Sequence, residues 1–224
     1  MEFEYLLNEK VKIPVSDIHK NWIIENNKLS HNNYHNNKIY KYLNKNKVAI
    51  DVGAFIGTMS DFYALHSHYV YSFEPNVDSF NCLEYNMKQH KNIELHNVAL
   101  SDKEEYLKSN IVETNYGMNY LEPSTKKTKI KSKTLDSFNI KNVGYIKIDA
   151  ELMEMNVLKG ALNTISENIC YLDIEINDNL INYRKPGYTS QELIDYICSL
   201  GYSVVDTIGK IGQRDLIFKP NKLK

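Results

Sequence analysis

A chain of 224 residues, 42% of them hydrophobic, can bury one substantial core, so one catalytic-size domain with a small appendage is expected. Its formal net charge of -1 excludes a whole-molecule field that draws in nucleic acid or anionic membrane; any basic patch is local. Three cysteines, Cys82, Cys170 and Cys198, have no paired spacing and read as buried, reduced thiols of a cytoplasmic protein.

Residues 1–16 alternate weakly, with Glu2 and Glu4 where a signal peptide carries lysines. Pro14 and Ser16 suggest an extended arm or hairpin. No apolar run approaches membrane-spanning length, so no membrane insertion is expected. From Asp17 to Leu43 apolar positions flank an Asn/His-rich middle, Asn26 to Asn37. Two short helices joined by a solvated loop follow from that pattern, and the loop could arch over a pocket. The boundary falls at residue 44, an arm and helical cap before it and a catalytic domain over 45–224.

Val48 to Val52 is a short apolar run holding Asp51, and a turn with Gly53 and Gly57 follows it. A helical segment leads to a second run, Tyr69 to Phe73, closed by Glu74. Residues 78–90 form an amphipathic helix, 93–96 a third strand, and Asn97 to Asp102 a polar-ended loop. Strand, helix and strand in alternation call for a parallel doubly wound sheet with right-handed crossovers. Between Glu104 and Leu135 strand-like stretches replace long helices. There Lys127, Lys129, Lys131 and Lys133 share one face, as solvated edge lysines do. Gly144 to Asp149 is a fourth core strand, Met153 to Ile165 a helix and Cys170 to Ile176 a fifth strand. Thr189 to Glu192 is a capping box opening a helix that Gly201 ends. Residues 202–206 and 215–219 close the domain as an antiparallel pair around Gly209 and Gly212.

The chemistry gathers at strand ends. Gly53 and Gly57, with Ala54 between them, let the backbone pass close to a ligand, and Asp51 stands at the same crevice. The middle glycine that admits a pyrophosphate is missing from this Gly-x-x-x-Gly spacing. Glu74, with Pro75 and Asn76, stands about 20 residues on, where a carboxylate can take both hydroxyls of a ribose. Ser101 and Asp102 leave the third strand where an adenine edge would lie.

Asp51-Val52-Gly53-Ala54-Phe55-Ile56-Gly57, Phe73-Glu74-Pro75-Asn76, Asn97 to Asp102, Thr134-Leu135-Asp136 and Ile146 to Glu151 with Val157 to Ala161 resemble the ordered motifs of FkbM-type S-adenosylmethionine-dependent methyltransferases. The resemblance implies a Rossmann-like class I fold: a mostly parallel seven-stranded sheet with one antiparallel strand and helices on both faces. It implies S-adenosyl-L-methionine as cofactor, S-adenosyl-L-homocysteine as product, and O-methylation of a sugar, glycan or related small molecule. By carry-over Asp51, Gly53, Ala54, Gly57, Glu74, Pro75, Asn76, Ala99, Ser101, Asp102 and Asp149 contact the cofactor. Asp149 and Glu151 face the reacting methyl group, and Glu175 on the neighbouring strand end helps them. The same acids could hold Mg²⁺, although no metal is required. The motif departs at Leu152, where the family carries glycine; this reshapes the acceptor pocket or reduces catalytic power.

Three rival readings remain. A nicotinamide-dependent dehydrogenase would need the absent glycine. A cofactor-binding scaffold would follow if Leu152 abolished transfer. Nucleic-acid methylation rests only on the lysines near 130, and no base-flipping pocket motif accompanies them. His66 and His68 lack a nearby third ligand, and Asn115 to Tyr120 could contact an acceptor. The N-terminal arm could pair two subunits as a homodimer.

Overall fold

The computed structural model describes residues 2–7, 11–14, 19–26, 28–29, 33–110 and 119–221. Its centre is a seven-stranded sheet of β3 (Val48–Val52), β4 (Tyr69–Phe73), β5 (Ile93–His96), β10 (Val143–Ile148), β11 (Tyr171–Ile176), β12 (Tyr202–Lys210) and β13 (Gln213–Pro220), in the order β12-β13-β11-β10-β3-β4-β5. The five strands from β11 to β5 pair in parallel. β13 runs antiparallel to both neighbours, as expected of one reversed strand. The last hairpin is longer than the sequence pattern suggested: Gly209 lies inside the ladder opposite Arg214, and the chain turns at Ile211 and Gly212.

Period-two alternation assigns each strand two faces. Val48, Ile50, Val52, Ile146, Ile148, Leu172, Ile174, Leu216 and Phe218 join one core, covered by α5 (Glu154–Lys159), α6 (Leu162–Glu167) and α8 (Ser190–Ser199). Ala49, Val70, Tyr145 and Ile217 join another, covered by α3 (Thr58–His66) and by Ile39 of α2 (Asn33–Ile39). α8 opens on the expected capping box of Thr189 and Glu192. Asn76 caps α4 (Val77–Met87), accepting from the N–H groups of Asp78 and Ser79.

The helix expected over 153–165 is two helices. They part at Gly160 and Ala161, and only glycine fits at 160, where a Cβ would stand 2.0 Å from the carbonyl oxygen of Ser101. Asp136 then serves α6, its carboxylate accepting from the main-chain N–H groups of Asn163 and Thr164 at 3.0 and 2.7 Å. This gives the Thr134-Leu135-Asp136 motif a structural task.

The strand-like stretches expected between Glu104 and Leu135 belong to a second sheet. β6 (Ala99–Leu100), β7 (Tyr106–Asn110), β8 (Tyr120–Pro123) and β9 (Ile130–Lys133) pair in the order β6-β9-β7-β8. Lys131 and Lys133 are exposed and Ser132 is buried between them, the alternation expected of a solvated lysine face.

At the N-terminus β1 (Phe3–Leu6) and β2 (Val11–Pro14) form a hairpin against α4. Asn86 of α4 accepts from the N–H of Lys12 at 2.7 Å and donates to its carbonyl at 3.0 Å. α1 (His19–Asn26) and α2 are the two expected short helices. The Asn/His-rich tract is not a loop throughout, however: 33–37 is helical and His35 and Asn36 are buried. Ser16 and Asp17 lie outside the described residues. Cys82 and Cys170 are buried thiols as expected, whereas Cys198 is exposed on α8. Among the described residues no helix is long and apolar enough to cross a membrane.

Candidate active site

Strand register assembles the site. Lys147 of β10 stands opposite Asp51 of β3 and Asp173 of β11. Two residues further along, Glu175 of β11 stands opposite Asp215 of β13. One face of the sheet therefore carries a row of charge toward the carboxyl ends of the parallel strands, where open α/β sheets bind ligands.

Lys147, 4% exposed, is the cation of this row. Its ammonium bonds Asp215 and lies 3.7 Å from Asp149 and 3.8 Å from Asp173. Burial would lower its pKa, but the charges of Asp173, Asp215, Asp149 and Glu175 hold it well above the usual lysine range. Burial would likewise raise Asp215; the charge of Lys147 and the hydrogen bond and charge of His35 overcome that and hold it low. His35 Nε2 lies 3.1 Å from the other Asp215 oxygen, so α2 is bound to the last strand through the site. Tyr145 donates to Asp173 at 2.5 Å. His35, Asp173 and Asp215 could together ligate a metal, but the Lys147 ammonium is already their cation.

A cavity of about 270 Å³ opens beside this row. Asp51, Gly53, Ala54, Glu74, Pro75 and Asn76 line one part of it, with Ala99 of β6. Gly53 has φ 84°, and a Cβ on it would meet the carbonyl oxygen of Asp149 at 1.8 Å. Only glycine lets the β3 turn and the turn after β10 approach so closely. Glu74 is buried, one oxygen accepting from the N–H of Phe55 at 2.9 Å and the other from that of Asn76 at 2.8 Å. Burial pushes its carboxyl up to about 7. Asp51 accepts from Ser60 at 2.5 Å and is raised to about 6 by burial.

Asp149, Glu151 and Glu175 line the cavity too, and each offers an oxygen within 4.8 Å of the others. Glu151 Oε2 is buried and has no hydrogen-bond partner; Glu175 accepts from Gln213 at 2.8 Å. Burial first, then the charge of Asp149, pushes both Glu151 and Glu175 well above the usual carboxylate range. Three converging acids of this kind can share a proton, orient a hydroxyl, or hold Mg²⁺ through carboxylates and water.

Three expected cofactor residues do not line the cavity. Gly57 sits at the head of α3 against the side chains of Met87 and Leu83. Ser101 is fully buried, its N–H donating to the Lys133 carbonyl and its hydroxyl to Asp102 at 3.1 Å. Asp102 faces outward to Asn156. Val98 and Leu100, on either side of Ala99, line the cavity instead. Of the central stretch singled out for acceptor contacts, 115–118 lies outside the described residues, while Asn119 reaches the lining. Lys147 and Asp215 were not expected at the site; a lysine inside an apolar strand was the available signal for the first, and the second comes from a strand that carries no motif. His35 belongs to the Asn/His-rich tract that could arch over a pocket, and it lines the cavity.

The strand order, the single reversed strand and a cavity at the carboxyl ends give the Rossmann-like fold of the class I S-adenosylmethionine-dependent methyltransferases. The methyltransferase FkbM domain model matches residues 51–204, and the chain belongs to that family. Among solved structures it is similar to the methyltransferase FkbM of Methylobacillus flagellatus KT, with a TM-score of 0.54 and 17% identity over 78% of this chain and 44% of that one. It is also similar to a Streptococcus mutans methyltransferase in complex with SAH, with a TM-score of 0.55 and 11% identity over 83% of this chain and 94% of that one. M. capricolum TrmK, also solved with SAH, gives 0.51 and 13% over 85% and 69%. The chain thus spans under half the length of the Methylobacillus protein. No curated protein matches it.

Proposed function

We propose that this protein transfers the methyl group of S-adenosylmethionine to a hydroxyl oxygen of a sugar, glycan or related small molecule. The observation that carries the reading is the convergence of Asp149, Glu151 and Glu175 on the cavity that Gly53 and Glu74 also line. The lining fits the cofactor: Glu74 presents a carboxylate already oriented by two main-chain N–H groups, and its remaining lone pairs can accept from a ribose diol. When bound, S-adenosylmethionine supplies an electrophilic methyl carbon on a sulfonium.

The residues of this chain do the rest. An acceptor hydroxyl lying among the three acids donates to Glu151 Oε2, the buried oxygen without a partner. A carboxylate of ordinary pKa is a poor base for an alcohol; burial and the Asp149 charge make Glu151 and Glu175 stronger ones. The hydroxyl proton passes to Glu151 as the oxygen gains its methyl group, and then leaves to solvent. Lys147 anchors Asp149 from inside the sheet. Most of the acceleration comes from holding the reactants in line, an effect that reaches about 7–11 kcal/mol in well-oriented systems.

The test is methyl transfer to a panel of sugars and glycosides by Asp149→Asn, Glu151→Gln and Glu175→Gln, with S-adenosylhomocysteine binding measured alongside. Turnover should fall by about 10²–10⁴ for Glu151→Gln while binding is kept. Near-normal turnover in all three variants would remove the assignment; binding without transfer to any acceptor would favour the scaffold reading.

A further inference from the structure

Two fully buried serines stand behind Asp51. Ser60 lies in the first turn of α3 and Ser72 on β4, where Ser72 is the register partner of Asp51 across the β3-β4 pair. A serine within a helix commonly turns to solvent or back to its own backbone; Ser60 reaches across to the sheet instead. Its hydroxyl lies 2.5 Å from Asp51 Oδ2 and 2.8 Å from the Ser72 hydroxyl. An ionised carboxylate only accepts, so Ser60 donates to Asp51 and Ser72 donates to Ser60. The hydroxyls form a one-way chain that ends on the acid, each bond polarising the next.

Asp51 is 2% exposed, a carboxylate withdrawn from water, and the protein gives it no cation. Lys147 stands opposite it in register, but the Lys147 ammonium bonds Asp215 and lies against Asp149 and Asp173. Among the described residues no cation sits within ion-pair distance of Asp51, and its Oδ1 accepts no hydrogen bond. A buried charge in that state is costly, and a cationic group in the cavity that Asp51 lines relieves it. Glu74 is the acid suited to the ribose. Of the other groups on the cofactor, the α-ammonium of the amino-acid end is the cation that S-adenosylmethionine and S-adenosylhomocysteine share.

We infer that Ser60 and Ser72 are positioning residues, which hold Asp51 by Oδ2 so that Oδ1 takes the α-ammonium of the cofactor. Neither serine lines the cavity, so each acts through Asp51. The inference rests on the cofactor half of the methyl-transfer reading and is independent of the acceptor.

Calorimetric titration with S-adenosylhomocysteine and with its deaminated analogue, the same thioether without the α-amino group, tests it without needing turnover. At pH 8, above the value of about 6 to which burial raises Asp51, the acid is ionised. Wild type should then bind S-adenosylhomocysteine about ten times more tightly than the analogue. Ser60→Ala should erase most of that preference by weakening S-adenosylhomocysteine alone, whereas a merely structural loss would weaken both compounds alike. Ser60→Thr keeps the hydroxyl and should keep the preference. Ser72→Ala, made on the strand, removes the support behind the Ser60 hydroxyl and should reduce the preference in part. Equal binding of the two compounds by wild type, or a preference undiminished in both alanine variants, overturns the inference and leaves the methyl-transfer reading in place. No binding of either compound by wild type overturns that reading and the inference with it.

Discussion

Glu154 holds Leu152 in place: its Oε1 accepts from the main-chain N–H of Leu152 at 3.2 Å and from that of Ala150 at 3.0 Å. Leu152 has φ 80° and Glu151 before it φ 47°, two successive left-handed residues that only glycine adopts without strain. Tyr188 donates to the other Glu154 oxygen at 2.8 Å. The turn that presents Asp149 and Glu151 to the cavity is therefore fixed by a buried carboxylate, in a chain that has leucine where the motif resemblance implies glycine.

Leu152→Gly should relieve roughly 1–2 kcal/mol of backbone strain and lose about 0.5–1 kcal/mol to the freer unfolded chain, leaving stability unchanged or slightly raised. Glu154→Ala strands two N–H groups and a hydroxyl and should cost about 3 kcal/mol. If Glu154 acts by holding the strained turn, the double variant should be less destabilised than the sum by about 1 kcal/mol. Urea unfolding of all four proteins measures this, and strict additivity would dismiss the idea.

Glu74 should make cofactor binding pH-dependent. Its folded pKa is raised to about 7 from 4.5, so the fold favours the protonated form. Its contribution to stability is full below 4.5 and is lost as pH rises through 7, at about 1.4 kcal/mol per unit over that window. A ribose diol donates to the ionised form, so binding should run the other way. Calorimetry should find S-adenosylhomocysteine bound about tenfold more weakly at pH 6 than at pH 8. Glu74→Gln should flatten that slope, and Glu74→Ala should weaken binding tenfold or more. An identical slope in wild type and Glu74→Gln would show that another group carries it.

Much of this site was legible because strand-end acids and glycine turns are local patterns. Asp51, Glu74, Asp149, Glu151 and Glu175 each lie at or just past the carboxyl end of an apolar run, and a parallel sheet brings such ends together whatever the loops do. The seven strands were readable for the same reason, since β-branched and aromatic runs bounded by turns have few alternatives. What escaped was set by distant contacts. The Ser101 carbonyl passes so close to residue 160 that only glycine fits there, and His35, in a helical stretch of the polar tract, is buried against Asp215, 180 residues away. Ser101 is buried where β6 pairs with β9, a long-range pairing with no local signal.

Lys147→Met tests whether the buried row is a unit. Removing the ammonium leaves Asp215, Asp173 and Asp149 without their shared cation, and breaking a buried pair from one side costs about 3–5 kcal/mol. Asp215 has a depressed pKa, so its contribution to stability is present above its unfolded value near 3.9 and is lost as pH falls through the lower folded value. Wild type should therefore lose stability in acid more steeply than Lys147→Met, whose Asp215 has lost its main cation. Parallel stability curves for the two proteins between pH 2 and 6, read by thermal unfolding, would show that Lys147 does not hold Asp215 ionised.

The acidity of Glu151 predicts the pH profile of catalysis. Its carboxyl is raised by burial and by Asp149, so only a fraction is ionised at neutral pH and that fraction grows tenfold per unit as pH rises toward the folded pKa. If the ionised form takes the hydroxyl proton, kcat/KM should climb from pH 7 into the alkaline range and level off there. Asp149→Asn removes the charge that raises Glu151 and should move the rise to lower pH, an effect that loss of structure would not produce. Glu151→Gln should leave a low, flat profile. A wild-type rate independent of pH between 6 and 9 would instead assign Glu151 to orienting the hydroxyl, with the proton leaving directly to water.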